Sequence, residues 1–364
     1  MPGSDVNLVA AGLLRDLAAA QASPERAFGY KQAAGAVLAL DAPLEALLQS
    51  DGTLSRIPRV GPASTRVLLE VLHTGGSPIV EQAVDVSGKR AEVERRRAFR
   101  HDFLSGAAVR AAIDAGDLAG PSLADYRGDL QMHSTWSDGS QSLLEIVEAG
   151  RAHGYAYVAV TDHSAGLPIA NGLTMERFAR QRAEIDRLNE AGDGTFRLLA
   201  GVEANILGDG RLDVAVDDRR RFDIVVAAPH SALRSTAPQT DRMLAAVSQP
   251  AIHVLGHPRG RMYNSRPGVA ADWPRVFAAA AAHEIAIEID GDPARQDLDA
   301  GLAREAVASG CLFALDTDAH AVSQWRYVEI AIAHARLAGV PPDRVVNTWP
   351  LDRLLAWAAR RSAA

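Results

Sequence analysis

The sequence predicts an α/β protein, a parallel barrel of seven strand-helix repeats preceded by a small all-α domain. Three observations predict it. From Tyr126 onward, short apolar runs alternate with amphipathic stretches of about 10 to 15 residues, the rhythm of a parallel sheet with helical crossovers. The repeat count favours closure into a barrel over an open sheet. Before Gly76 the text is instead helical and punctuated by tight turns, and 364 residues leave room for two domains.

Taken in order, Leu8, Leu13, Leu14 and Leu17 recur at helical spacing, Tyr30 to Leu40 is an Ala-rich helical stretch, and Pro43 stands at a first-turn position. The segment LSRIPRVGPASTRVLLEVLHTGG gives an apolar approach (Leu54, Ile57), a turn (Pro58 to Gly61), Pro62 at a first helical position, and a helix ended by Gly75 and Gly76. This reads as helix, hairpin turn and helix, a domain over residues 1–78. Residues 79–125 read as a linker with an extended start (PIVEQAVDV), a charge run and a helical piece ending near Gly116. In that run Arg95, Arg96, Arg97 and Arg100 read as a solvated helix face.

Residues 126–364 form the barrel. Its strands are expected at Gly128 to Met132, Tyr157 to Thr161, Phe196 to Val202, Phe222 to Ala227, Ile252 to Leu255, Ile285 to Ile289 and Leu312 to Leu315. Leu143 to His153, Met175 to Asn189, Thr240 to Val247, Trp273 to Ala282 and Leu302 to Ala308 are the intervening helices. Tyr327 to Leu337 and Leu351 to Arg361 close the chain.

Composition narrows the function. No run of about 18 apolar residues exists, so a soluble, cytoplasmic protein without a membrane partner is expected. Cys311 is the only cysteine, which forbids an intrachain disulfide or a Cys-rich zinc site, so any metal must be held by His and carboxylates. The net charge of -7 argues against a broad electropositive surface. Residues 1–124 are nevertheless near neutral, with 13 basic and 14 acidic side chains, and local phosphate contacts stay open.

Metal-capable residues fall just after each expected strand. His133 and Asp138 follow the first, Asp162 and His163 the second, Glu203 the third, His230 the fourth, His257 the fifth, Asp290 and Asp292 the sixth, and Asp318 and His320 the seventh. Strand C-termini of a barrel converge on one face, so these side chains are expected to share a rim. His73, His101, His153, His253, His283 and His334 lie on helices, in the linker or inside a strand and are read as structural.

In order, the motifs DLQMHS, TDH, GVE, APH, GHPRGR and TDAH make the block from Gly128 to His320 resemble the polymerase and histidinol phosphatase (PHP) domain. The resemblance implies a distorted seven-stranded barrel holding two to three divalent metals (Zn, Mn or Fe) for phosphoester hydrolysis. It implies His133, Glu203 and Asp318 as ligands of one metal, Glu203, His230 and His257 of a second sharing that carboxylate, and Asp138, His163 and His320 of a third. Gln131 stands where the family usually has His. An amide oxygen is neutral and a poorer ligand for borderline metals, so this site is expected to be weaker. Asp162 is read as orienting its neighbours, Asp316 more weakly so, and Arg261 as the phosphate clamp, since it matches a family position.

Residues 1–78 resemble the helical domain of bacterial family X DNA polymerases through YKQAAGAVLAL and LSRIPRVGPAST, with no polymerase palm between the two parts. The resemblance implies DNA binding through backbone N–H groups at the second helix's N-terminus, where Gly61, Ser64, Thr65 and Arg66 stand. Arg59 replaces the usual first hairpin glycine, so a left-handed turn there is less assured. The expected function is hydrolysis of DNA phosphoesters, as a 3′-5′ exonuclease or in 3′-end processing. Two alternatives stay open: a small-molecule phosphatase of the histidinol phosphate kind, and a DNA-binding module with a degenerate metal site.

Overall fold

The computed structural model describes residues 5–363. The chain divides into two units, one holding the chain up to Gly116 together with Tyr263–Arg266, the other holding Asp117–Met262 and the chain from Pro267 onward.

The first unit contains α1 (Val6–Ala20), α2 (Pro24–Leu38), α3 (Pro62–Thr74), α4 (Pro78–Ser87), α5 (Arg90–Ala98) and α6 (Gly106–Asp114). Side-chain caps start four of them: Asp5 accepts from Leu8 N–H, Ser23 from Arg26, Ser77 from Val80 and Ser105 from Ala108. Leu14 and Leu17 of α1, Ala33 and Val37 of α2, Leu68 and Val71 of α3, and Val80 and Val84 of α4 form one apolar core. The expected extended start at PIVEQAVDV is therefore helical. Its alternating apolar residues mimic a strand, but Ser77 and Pro78 start a helix, and Val80 and Val84 share a face at i,i+4 spacing.

The solvated reading of the arginine run is corrected as well. Arg97 and Arg100 turn inward onto the buried Asp16, with Arg97 Nε at 2.7 Å and Arg100 Nη2 at 2.6 Å from its two oxygens. Gly12 admits the Arg100 guanidinium against α1, because a Cβ there would lie 3.2 Å from Nη1.

Around the hairpin, Pro62 starts α3 after Gly61. What precedes the turn is a 3-10 turn over Leu44–Leu47 and a Leu48-Leu54 bridge, where a first α-helix is expected. Arg59 does adopt the left-handed conformation, at φ 67°, and Val60 N–H closes the turn on Ile57 O at 3.2 Å.

In the second unit α7 (Leu143–Ala152), β1 (Tyr157–Val160), α8 (Met175–Glu190), β2 (Arg197–Asn205), α9 (Val216–Arg219), β3 (Ile224–Ala228), α10 (Thr240–Val247), β4 (Val254–Leu255), α11 (Trp273–Ala282), β5 (Ala286–Asp290), α12 (Ala300–Ala308), β6 (Leu312–Asp316), α13 (Val328–Ala338) and α14 (Leu351–Ala363) follow in order. All five strand pairings are parallel, in the order β1 to β6. The sheet is curled and, among the described residues, has six strands where seven are expected.

Residues 128–132 make the difference. Met132 forms isolated parallel bridges to both Val160 and Ala319, so this segment lies beside the end of β1 and the chain just past β6. It does not form a ladder, because Leu130 N–H donates to the Asp316 carboxylate (2.8 Å) and Gln131 N–H to the Asp129 carboxylate (2.9 Å). Carboxylates take the donors that a strand would give to its neighbour.

The strands alternate between two apolar layers. Leu199, Ile224, Val226, Val254, Ala286 and Ala314 pack together and against Trp349, Leu354 and Trp357 near the C-terminus. Leu198 and Ala200 face the other way, onto Leu143, Ile146 and Ile185 of α7 and α8. Glu203 continues the row of Leu199 and Gly201 at period two, so β2 carries it into the sheet's concave side.

Candidate metal centre

Six loops and strand ends deliver the candidate ligands, and they meet at Glu203. Its side chain is fully buried. Oε1 lies 2.9 Å from His257 Nε2 and 3.1 Å from His230 Nε2, while Oε2 lies 3.0 Å from His163 Nδ1 and 3.4 Å from His133 Nε2. One carboxylate thus faces four imidazoles.

Asp318 Oδ1 is 3.1 Å from His133 Nε2, and Asp138 Oδ1 lies 3.8 Å from His163 Nε2 and 3.5 Å from His320 Nε2. The His133 ring stacks between those of His163 and His320, each centroid 4.4 Å away. Three groups have ligand atoms within 4.8 Å of one another: His133, Glu203 and Asp318; His163, Glu203 and His230; and His133, Asp138, His163 and His320. Asp318 takes the left-handed conformation at φ 48°, which Asp tolerates better than most residues and which places strain at a functional turn.

The donor set fits divalent cations. Glu203 Oε2 and His163 Nδ1, 3.0 Å apart inside the cluster, and Gln131 Oε1 are buried without hydrogen-bond partners. Buried polar atoms are rarely left unsatisfied, and lone pairs gathered in such a cluster are what a cation would occupy. Gln131 is completely buried, with Oε1 only 3.4 Å from where a Cβ on Gly256 would stand, beside His257.

Electrostatics follow from the packing. Burial alone would raise the Glu203 carboxyl, but the charges of His163 and His230 outweigh it and hold the group well below the usual range. Asp318 is likewise held low against its burial, by Arg295 and His133. Burial and then Arg295 keep His257 below its ordinary value. His163 and His320 are pushed up to about 9 against their burial, the first mainly by Glu203 and the second by Asp138 and Asp318.

A pH dependence follows. Because both values lie above the ordinary 6.5, these pairings stabilise the metal-free fold fully below pH 6.5 and are lost as pH rises through about 9. A cation on the same nitrogens must displace the protons, so its affinity rises over that window. Chelator-treated protein should melt at progressively lower temperature from pH 6.5 to 9, while the increment in Tm from added Zn or Mn grows. A flat increment across that range contradicts this.

Asp162 is buried beneath the centre. It accepts from Ser134 N–H (2.8 Å), Ser134 Oγ (2.5 Å), Ser137 Oγ (2.5 Å) and Gln181 Nε2 (2.5 Å), which pins the loop between His133 and Asp138. Asp316 receives Leu130 N–H and Asn347 Nδ2.

Arg261, expected as the phosphate clamp, is turned onto protein groups. It is 3% exposed, and its guanidinium donates to the carbonyls of Arg295 (3.0 Å) and Gln296 (2.7 Å) and reaches Asp299 at 3.4 Å. It braces the loop after β5, and that loop presents the guanidinium that the sequence reading missed. Arg295 Nη2 is 3.1 Å from Asp318 Oδ2, and its Nε is 3.5 Å from Asp290 Oδ2. The only signal for it was its place after the sixth expected strand. Asn205, whose Oδ1 meets His230 Nδ1, and Ser164 and Asp213, which hold the Asn205 amide, were missed too. His253, by contrast, is structural: burial pushes it down to about 4 while it bonds Val225 N–H and Ala358 O.

In the first unit Gly61 and Arg66 are exposed, Thr65 is half-buried and its Oγ1 donates back to Gly61 O (3.2 Å), and Ser64 is buried. Ser64 thus faces the core, and only its backbone remains on offer. Among the described residues no helix is long and apolar enough to cross a membrane.

No family model matches the chain. It is 36% identical over 257 residues, 70% of its own length, to the DNA polymerase/3′-5′ exonuclease PolX of Bacillus subtilis (strain 168), of which it spans 45%. It is 29% identical over 251 residues to a probable phosphatase of Serratia proteamaculans (strain 568), and 26% identical over 250 residues to the probable phosphatase YcdX of Escherichia coli O139:H28. Those alignments cover 95% and 96% of the phosphatases. A solved structure of histidinol phosphate phosphatase from Lactococcus lactis matches 59% of the chain at a TM-score of 0.44 and 18% identity.

Proposed function

We propose, from the premise that this chain is a PHP-domain protein related to PolX and to the YcdX phosphatases, that it is a metal-dependent phosphoesterase acting on DNA 3′ ends. One observation carries the reading: a fully buried Glu203 carboxylate faced by four imidazoles from four separate loops. Folding has concentrated charge and lone pairs at one point, which bound cations would compensate.

We assign His133, Glu203 and Asp318, with Gln131 alongside, to one cation, Glu203, His230 and His257 to a second, and Asp138, His163 and His320 to a third. Divalent cations at such a centre supply Lewis-acid polarisation of a phosphoryl oxygen and a lowered pKa for the attacking water. The His-rich N/O set suits Zn, Mn or Fe better than Mg. Glu203 orients the imidazoles, Asp162 holds the loop bearing His133 and Asp138, and Arg295 is the guanidinium placed to meet a phosphoryl oxygen. At the N-terminus of α3, the backbone around Gly61, Ser64 and Thr65, with Arg66, would take a DNA phosphate without reading bases.

DNA is favoured because the relative named as an exonuclease shares more identity than those named as phosphatases. The test uses the full chain purified without chelator, a 3′-labelled oligonucleotide and 4-nitrophenyl phosphate. Shortening of the oligonucleotide that falls at least about 100-fold in His257→Ala supports the proposal. Turnover of the aryl phosphate with intact DNA favours the small-molecule phosphatase. Fewer than two bound cations and neither activity would overturn both and leave the binding-module reading.

A further inference from the structure

We infer that Asn205 and Asp213 are positioning residues that select the tautomer of His230, leaving Nε2 rather than Nδ1 open to a cation. His230 Nδ1 lies 2.7 Å from Asn205 Oδ1, and its Nε2 lies 3.1 Å from Glu203 Oε1. Which proton the ring carries then depends on which way the Asn205 amide points.

The surroundings settle that direction. Asn205 Nδ2 donates to Asp213 Oδ2 at 2.6 Å and to Ser164 Oγ at 3.0 Å, and Ser164 Oγ donates in turn to Asp213 Oδ2 at 2.7 Å. An ionised carboxylate only accepts, so the amide nitrogen must face Asp213 and the amide oxygen must face the ring. An oxygen there accepts only from a protonated Nδ1. The lone pair of His230 is left on Nε2, on the side of Glu203.

The fold builds this lock deliberately. After β2 the chain turns at Asp209 and Gly210, the latter at φ 85°, bridges Leu212 to Ile206, and returns Asp213 beside Asn205. There the two residues also exchange backbone contacts: Asn205 N–H donates to Asp213 Oδ1 (2.8 Å) and Asp213 N–H to Asn205 O (3.1 Å). Gly166 leaves the space, since a Cβ on it would stand 2.0 Å from Asp213 Oδ2 and 2.9 Å from Asn205 Nδ2. Asn205 is 7% exposed and Ser164 3%, so water competes weakly for these bonds.

The inference rests on the proposed function only in taking His230 as a cation ligand. Asp213→Asn removes the constraint, because the new amide can donate and the Asn205 amide can then flip its NH2 toward the ring. Asn205→Ala removes the acceptor. Each should weaken Zn binding to the full chain by about 10- to 100-fold, the range for partners that orient a metal-bound histidine. The double variant Asn205→Asp with Asp213→Asn exchanges amide and carboxylate, restores an acceptor for Nδ1–H and a donor between the two positions, and should recover affinity to within about threefold.

The second readout is nitrogen NMR of histidine-labelled protein, which reports the protonated ring nitrogen of His230 in the Zn-loaded chain and a protected Nδ1 proton in the metal-free chain. Single variants that bind Zn within about threefold of the native chain overturn the inference. So do single losses that the exchange fails to recover, since the pair would then matter only as packing. If the native chain takes up no cation, the functional reading fails, while slow exchange of the Nδ1 proton in the metal-free chain, lost in Asn205→Ala, still decides the lock.

Discussion

Glu203→Gln is expected to cost about 1000-fold in phosphoester hydrolysis and to strip the protein of most of its bound cations. The reason is geometric. Among the described residues Glu203 is the one anion that touches all four of His133, His163, His230 and His257, and it sits at 0% exposure. Removing one partner of a buried charge pair leaves the others uncompensated, typically at about 3 to 5 kcal/mol. An amide keeps the shape but supplies one neutral acceptor where the centre needs a shared charge. Metal content by elemental analysis should fall together with activity, and the His163 pKa should drop from about 9 back toward 6.5 in the metal-free protein. Retained metal and a rate within tenfold of native would show that the centre is organised around some other group.

The second large effect is on stability and lies in the first unit. Asp16→Ala is expected to destabilise that unit by about 3 to 5 kcal/mol. Asp16 is 1% exposed and receives Arg97 at 2.7 Å and Arg100 at 2.6 Å. Arg100 is itself held against α1 by Gly12 O at 2.7 Å, so its guanidinium cannot swing out to water without breaking a second bond. Replacing the carboxylate leaves a buried cation facing a methyl group. Urea melts followed by fluorescence should show an earlier transition, and the change should be much larger than for Glu92→Ala, whose partner Arg96 is at the surface. Equal, small losses at both positions would mean that the Arg97 and Arg100 pairs are as solvated as the charge run first suggested.

Much of the second unit was legible. Six of the expected strands and all the expected crossover helices lie within a few residues of their observed bounds, because each strand is an apolar run between amphipathic segments, the pattern that parallel pairing demands. The first expected strand, residues 128–132, was misread because its apolar residues, Leu130 and Met132, point to different layers, and its backbone donors go to the carboxylates of Asp129 and Asp316. Pattern alone cannot reveal that a carboxylate nearly 190 positions away will take a strand's N–H. The same limit hid α4, whose alternating apolar residues fit either period until Ser77 and Pro78 are weighed.

The metal-capable residues at the strand ends were legible for a different reason, and the family resemblance narrowed them to the candidate ligands. Strand ends in a parallel sheet share one edge, so residues just after each strand are brought together by topology without any knowledge of side-chain packing. Arginines were not legible in this way. Arg261 and Arg295 both follow strands, yet one braces a loop through carbonyls and the other faces Asp318.

The sequence by itself therefore determined which chemical groups gather at the sheet's edge, and that they are imidazoles and carboxylates suited to cations. Only the tertiary structure decided how each group is held: the four contacts of Glu203, the inward turn of Arg97 and Arg100, and the Asp213-Asn205-His230 chain. Periodicity and strand order act over whole elements and can be read along the chain. A hydrogen bond is made or lost within a few tenths of an ångström, between residues that only packing brings together.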